Sequence, residues 1–314
     1  MRILIAGVTG AIGRQLASQL LAAGHEVVGL ARTRGRAADL ESSGVRMVYG
    51  DALDRDWVMA TTRQAAPDAV VHLLTAIPAN PDPKRVDQEF APTNRLRTEG
   101  TRNLVDAAAE AGVKRLIVQS IAFVNEPGRG PADEDAPFLS NPPKAYRPVL
   151  EAVRDLERIT SAAGGLVLRF GHLYGPGTGF ADDGPFVAQV RAGKVPVVSG
   201  GHSVFSFTHT ADAASAIVAA LTVATDATVL NVVDDDPAPV HVWLPELARI
   251  LGAPRPKSAP AFLARLAVGG WGVLYLTGLR GAGNARAKRV LAWEPRHPSW
   301  REGFAAELGA TADA

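Results

Sequence analysis

The run Gly7-Val8-Thr9-Gly10-Ala11-Ile12-Gly13 constrains this chain more than any other. Its three glycines are spaced three apart, directly after the apolar stretch Arg2–Ala6 and directly before a helical pattern. Glycine permits a tight turn and a close approach of other backbone. A helix that starts there presents unbonded N–H groups and the positive end of its dipole to an anion. A second apolar stretch, Glu26–Leu30, follows where a parallel partner strand belongs. A merely structural Gly-rich turn is the alternative. The strand before, the helix after and the second strand favour a turn holding the pyrophosphate of a dinucleotide, with Thr9, Ala11 and Ile12 sharing the contact.

The rest of the first half repeats this rhythm. Strands are expected at Arg2–Ala6, Glu26–Leu30, Arg46–Tyr49, Ala69–Leu73, Arg115–Gln119 and Leu166–Phe170. Helices are expected at Gly13–Ala23, Trp57–Ala66, Thr93–Ala111 and Val149–Ala163. Near-continuous Val/Ile/Leu runs suit strands covered on both faces, and strand–helix alternation implies a parallel sheet. The fold class is therefore α/β, a Rossmann-type doubly wound parallel sheet. Residues 1–173 form mainly the dinucleotide-binding part, and residues 174–314 a smaller, partly interleaved substrate-binding region. Ile77–Thr93 and Val124–Arg147, rich in Pro, Gly and acids, are longer than ordinary connections and read as active-site loops.

Bulk properties narrow the function classes. The net charge of +1 gives no footprint for nucleic acid. The absence of cysteine removes disulfides, thiolate metal sites and a Cys nucleophile, and fits a reducing compartment. No metal-ligand spacing is evident. The N-terminus runs into the Gly-rich turn without room for a signal peptide, so a cytoplasmic location is expected. Ala261–Leu279 is the one membrane-like stretch, but it contains Arg265 and the breakers Gly269, Gly270 and Gly272, and reads as an apolar helix over a pocket.

The end of the second strand selects between cofactors. An acid about twenty residues beyond the glycines would bind a ribose 2′-hydroxyl and repel a phosphate. The sequence there is GLARTRGR, with Arg32, Arg34 and Arg36 and no acid. Arginine grips a phosphate in a bidentate fork, which favours NADP over NAD; a solvated basic loop is the alternative. Asp51, in YGDALD, is placed to meet the adenine amino group beside Ala52, or to cap a helix, or both.

With these pieces in place the chain resembles the extended or atypical short-chain dehydrogenase/reductases, the NAD-dependent epimerase/dehydratase family. VVHLLTA resembles the family's fourth strand, EGTRNLVDAAAEAGVKRLIVQS its helix into the fifth, and LRFGHLYGPG the turn that closes on the nicotinamide. FTHTADAASAI, LNVVDDDPAPV and NARAKRVLAWEP resemble its substrate-side elements. The resemblance implies further cofactor contacts at Leu74 and Thr75, and a dimer built on helices near Thr93–Ala111 and Val149–Ala163, where Val149, Val153, Leu156 and Thr160 form a stripe. It also implies a Ser or Thr after the fifth strand, and a Tyr with a Lys four residues later. Here the strand ends in Ser120, and the Tyr in range, Tyr146, is followed four later by Leu150. Aligning on Glu157 instead puts Val149 and Val153 at the pair, so neither register supplies a Lys.

Ser120 and Tyr146 are thus the catalytic candidates, Ser120 anchoring a substrate oxygen and Tyr146 exchanging its proton near its ordinary pKa. His172 and Tyr174 are the substrate-side candidates. His72 and His209 read as structural, and Asp133, Glu134 and Asp135 as a solvated face. The expected function is an NADP(H)-dependent oxidoreductase acting on a carbonyl or secondary alcohol of a small, weakly polar molecule, with no nucleic acid and no membrane span. A non-redox lyase, cyclase or isomerase and a non-catalytic NADP-binding regulator remain as alternatives.

Overall fold

The computed structural model describes residues 1–309, the side chain of Arg36 excepted. Strands β1 (Arg2–Ala6), β2 (Glu26–Ala31), β3 (Arg46–Tyr49), β4 (Ala69–His72), β5 (Arg115–Ile121) and β6 (Leu166–Phe170) alternate with helices. These are α1 (Ala11–Ala22), α2 (Ala38–Ser42), α3 (Arg55–Ala65), α4 (Val86–Glu89), α5 (Ala91–Arg95), α6 (Thr101–Glu110) and α7 (Arg147–Ala162). The central sheet is parallel, with β3-β2-β1 on one side and β4-β5-β6 on the other. The strand Val229–Val232 returns from the second half to pair with β6 as a seventh strand. Between β1 and β4 the strand order reverses, which opens a crevice at their carboxyl ends.

Alternation along β1 shows why both faces must be covered. Ile3 and Ile5 join one core with Leu16, Leu20, Ile117, Leu168 and Ile217. Leu4 and Ala6 join another with Val28, Val58, Val70, Leu104, Val118 and Leu156. The helix Thr210–Thr222 packs on α1 from the second half, and Gln19 Nε2 donates to the Ala211 carbonyl at 3.0 Å. A third, aromatic core holds the C-terminal region around Phe205, Phe207, Trp243, Trp300 and Phe304.

The long helix expected over Thr93–Ala111 is not one regular α-helix. Its five residues Leu96–Gly100 form a π-turn between α5 and α6, where one carbonyl step is skipped. The stripe Val149, Val153, Leu156 and Thr160 on α7 is buried within the chain, so it is not exposed for a partner. Ala261–Leu279 contains the helix Ala261–Thr277, broken at Gly269 (φ 67°), and no described helix is long and apolar enough to cross a membrane.

In the acidic run expected to be solvated, Asp133 and Asp135 are exposed but Glu134 is not. Glu134 is buried; its carboxylate accepts from the Asn231 amide at 2.8 Å and pairs with Arg286 at 3.3 Å. Asp135, exposed, also pairs with Arg286. Beneath it, Arg169 on β6 grips Glu157 on α7 through Nε–Oε1 (2.8 Å) and Nη2–Oε2 (2.6 Å), both side chains being under a tenth exposed. Removing one partner strands the other charge in the interior, at about 3–5 kcal/mol. Glu157→Ala should therefore lower the unfolding free energy by that amount in a urea titration; a loss below about 1 kcal/mol would contradict this role.

Candidate active site

The crevice at the switch point is shaped by backbone touching backbone. Gly7 sits at the end of β1 with φ +93°, and a Cβ there would lie 2.7 Å from the Leu73 carbonyl oxygen after β4. A Cβ on Gly13 would lie 2.4 Å from the Gly7 oxygen. Any larger residue at either position would push the turn off the strand or the helix off the turn. Gly10 caps α1 without a side chain, no acid lies in the first turn, and the first bond of the helix runs from the Arg14 amide to the Gly10 oxygen at 3.0 Å. The amides of Ala11, Ile12 and Gly13 therefore face outward without helical acceptors. This cradle fits a dinucleotide pyrophosphate, with the positive helix end beneath it. Ile12 can offer only its amide, because its side chain is buried in the core beneath the sheet.

The other cofactor candidates surround the same crevice. Thr9 contributes a carbonyl that accepts from Arg14 Nε at 3.3 Å. Leu74 is half-buried, its amide donating to His72 Nδ1 at 3.1 Å, and Thr75 beyond it is exposed. From the far side, the Gly177 turn approaches Ala11, where an added Cβ would stand 3.5 Å from the Ala11 methyl. Arg32, exposed, follows β2 directly, and the Arg34 guanidinium lies over the Tyr49 ring at 5.2 Å. Asp51 is exposed at the end of β3 and accepts from the Leu53 amide at 3.0 Å. It does not cap α3; Asp54 does, accepting from the Trp57 amide at 3.1 Å. Ala52 is buried, its carbonyl held by Asn103 Nδ2 at 3.0 Å.

Ser120 and Tyr146 are placed differently from the expectation. Ser120 is buried and donates to Glu157 Oε1 at 2.7 Å, joining the Arg169 pair. Its proton is committed there and is not directed at a substrate oxygen. Tyr146 is buried at the start of α7 and stacks on Trp271, with ring centroids 3.4 Å apart. Burial pushes its hydroxyl pKa well above the ordinary value, against the opposing charge of Arg97. The hydroxyl has no hydrogen-bond partner. A phenol in that position is a donor and not a base. On α7, Val149 and Val153 are buried in one apolar cluster with Tyr146, Leu150 and Trp271.

His172 follows β6 on a short strand β7 (His172–Tyr174) and lines a narrow cleft with Ala122, Phe123, Gly171, Val204, Ser206, Gly281 and Ala282. Its ring lies between Phe123 (4.5 Å) and Phe205 (3.8 Å), with Tyr275 edge-on at 5.4 Å. Nδ1 lies 3.2 Å from the Ser206 carbonyl, which can only accept, so Nδ1 carries the proton and Nε2 is a bare, unpartnered acceptor. Burial lowers its pKa to about 3, so it is neutral at ordinary pH and is no acid catalyst. Tyr174, in contrast, does not reach the cleft. It is fully buried in the aromatic core, edge-on to Phe304 at 4.9 Å and His209 at 5.0 Å.

The remaining histidines are held by the fold. His72 accepts from Leu74 and lies 3.1 Å from Thr101 Oγ1, and burial lowers its pKa to about 4. His209, Asp212 and His297 bring ligand-type atoms within 4.8 Å of one another. Those atoms already cap the helix Thr210–Thr222, bond Glu307 and receive the amides of Arg296 and His297.

Arg97 went unremarked in the sequence. It sits in the π-turn, is buried, and leaves Nη1 without a partner. The available signal was its spacing, four residues before Thr101 and seven before Leu104, which puts an arginine on the buried stripe of that helix.

Comparison with known proteins agrees with this architecture. A sequence model of the NAD dependent epimerase/dehydratase family matches residues 3–232. The chain is 48% identical over 313 residues to a 3-diazoavenalumate denitrifying reductase of a Streptomyces species, covering 98% of this chain and 100% of that one. Among solved structures it superposes on UDP-glucose 4-epimerase of Thermotoga maritima with a TM-score of 0.78, at 20% identity, covering 98% and 97% of the two chains. The Thermus thermophilus UDP-glucose 4-epimerase, solved with NAD, gives 0.77 at 21% identity over the full length of both. The family match, the near full-length relative and the glycine cradle at the switch point make this chain a member of the NAD-dependent epimerase/dehydratase family.

Proposed function

We propose that this protein is an NADP(H)-dependent reductase that delivers hydride to a diazo-bearing carbon of a small organic substrate, with release of N2. The observation that carries the reading is the face of α7. Family enzymes are expected to hold a Tyr and a Lys there; this chain holds Val149 and Val153, buried among Tyr146, Leu150 and Trp271. A carbonyl reduction needs a proton for the new alkoxide, and the Tyr–Lys pair supplies it. Replacing a diazonium group needs none.

A reduced nicotinamide held in the cradle would supply a hydride; as the new C–H bond forms, the C–N bond breaks and its electron pair leaves with neutral N2. The charge balances without any protein group gaining or losing a proton. Such a site needs position, dryness and an intact cradle. The cradle is Gly7, Gly10 and Gly13 with the α1 amides. Beyond it, a neutral His172 is closed between Phe123 and Phe205 with Tyr275 edge-on, which keeps that end of the site apolar and dry. The close Streptomyces relative, named as a denitrifying reductase of a diazo compound, supports the same chemistry. Tyr146, kept protonated by burial, serves as a hydrogen-bond donor, and Ser120 acts by positioning Glu157.

For the cofactor we favour NADP. The end of β2 offers Arg32 and Arg34 and no carboxylate at the ribose position. The solved neighbours with similar folds contain NAD, so this preference rests on the arginines alone.

Two measurements check the reading. With 3-diazoavenalumate or a simple arenediazonium salt, the protein should oxidise NADPH and release N2 in equal amounts, above the uncatalysed rate. Epimerisation of UDP-glucose without diazo turnover would reject it. By calorimetry NADPH should bind more tightly than NADH, and Arg32→Ala should cost about 1.5–3 kcal/mol of NADPH affinity while sparing NADH. Equal wild-type affinities would remove the case for NADP.

A further inference from the structure

We propose that Arg97 is the substrate's anion-binding residue, taking an anionic oxygen, carboxylate or phenolate, at the mouth of the crevice; this rests on the reductase reading above. Arg97 lies in the π-turn Leu96–Gly100, one turn before Thr101, whose hydroxyl meets His72 at the end of β4. The π-turn packs against α7, whose first residue follows Tyr146. It therefore sits at the carboxyl edge of β4 and β5, where the cofactor crevice opens.

The guanidinium is 5% exposed and has no ion pair or side-chain hydrogen bond to any described residue. The contrast with Arg169 is direct: that residue is equally buried, but Glu157 holds it in a bidentate fork. An arginine buried for structural reasons has such a partner, because an unpaired charge in the interior is costly. The Tyr146 hydroxyl, within reach of Arg97's charge, also lacks a partner. Two donors with nothing to donate to, one of them charged, define a place for an anionic oxygen.

The pyrophosphate does not meet this need, since the α1 amides on the β1 side of the crevice already serve it. A ribose hydroxyl would accept a hydrogen bond but leave the charge uncompensated. The remaining candidate is the substrate. Bound there, its anionic oxygen would fix the substrate in register with the cofactor crevice. Arg97 lies within this π-turn, and such turns recur at functional sites.

The test uses the full chain saturated with NADP+ and 4-hydroxycinnamate as an unreactive probe, titrated by calorimetry. Arg97→Met should weaken the probe by about 10-fold to 100-fold, the range of one charge-assisted contact, and Arg97→Lys by less. NADP+ affinity should stay within about twofold of wild type, since its phosphates are held elsewhere. Removing an unpaired buried charge should leave the Tm of the cofactor-free protein unchanged or raise it, the opposite of losing a structural arginine. Cinnamate and methyl 4-hydroxycinnamate assign the source: loss of wild-type binding with the ester marks the carboxylate, and loss with cinnamate the phenolate.

No wild-type binding of the probe, equal binding by Arg97→Met, a fall in NADP+ affinity instead, or a lowered Tm would each overturn the proposal. Arg97-dependent binding without diazo turnover would overturn the reductase reading and leave this site standing.

Discussion

Everything at this site depends on a contact that contains no side chain. The backbone of Gly7 passes under the Leu73 carbonyl, and the first turn of α1 rests on the Gly7 oxygen through Gly13. That stacking brings the ends of β1 and β4 and the start of α1 into one crevice. It leaves the α1 amides unpaired and aimed outward, so the same atoms that close the fold open the anion site. The parallel sheet on either side, covered on both faces by Ile3/Ile5 and Leu4/Ala6 packing in opposite directions, keeps that crevice from relaxing.

Around this fixed cradle the charged and apolar groups have been redistributed. On α7, Val149 and Val153 are buried with Tyr146, Leu150 and Trp271. A positive charge reappears on the opposite helix, at Arg97, buried and without a carboxylate. Tyr146 is shielded by Trp271 and raised in pKa, and His172 is neutral between two phenylalanines. Burial thus holds the Tyr146 phenol protonated and the His172 ring neutral. A site of this kind suits a reaction whose leaving group departs without help.

Much of the fold could be read directly from the residues. β1, β3 and β6 run over the stretches their Val/Ile/Leu content marked, and the glycine spacing located the crevice. The strand Val229–Val232 was not read as part of the central sheet, because it lies in the interleaved second half, outside the strand–helix alternation that marked the other six. The π-turn was hidden for a similar reason: a skipped backbone step leaves the apolar stripe on either side almost in phase. Ser120 and Tyr146 were expected as the hydroxyls that meet the substrate, and the structure instead holds them within the protein. Their partners, Glu157 and Trp271, come from elsewhere in the chain, and those partners decide what each hydroxyl can do. Glu134 looked solvated in an acidic run, yet the Asn231 amide and Arg286 give it reason to be buried.

The claim that hydride goes straight to the carbon losing nitrogen is open to one direct test. NADPH carrying deuterium at C4 of the nicotinamide, on the face the enzyme uses, is oxidised in ordinary water with a diazo substrate, and the product is analysed by mass and NMR. The account predicts one deuterium per molecule, at the carbon that bore the nitrogen, with one N2 released. Product carrying hydrogen from water at that carbon, or retention of both nitrogens, would contradict it.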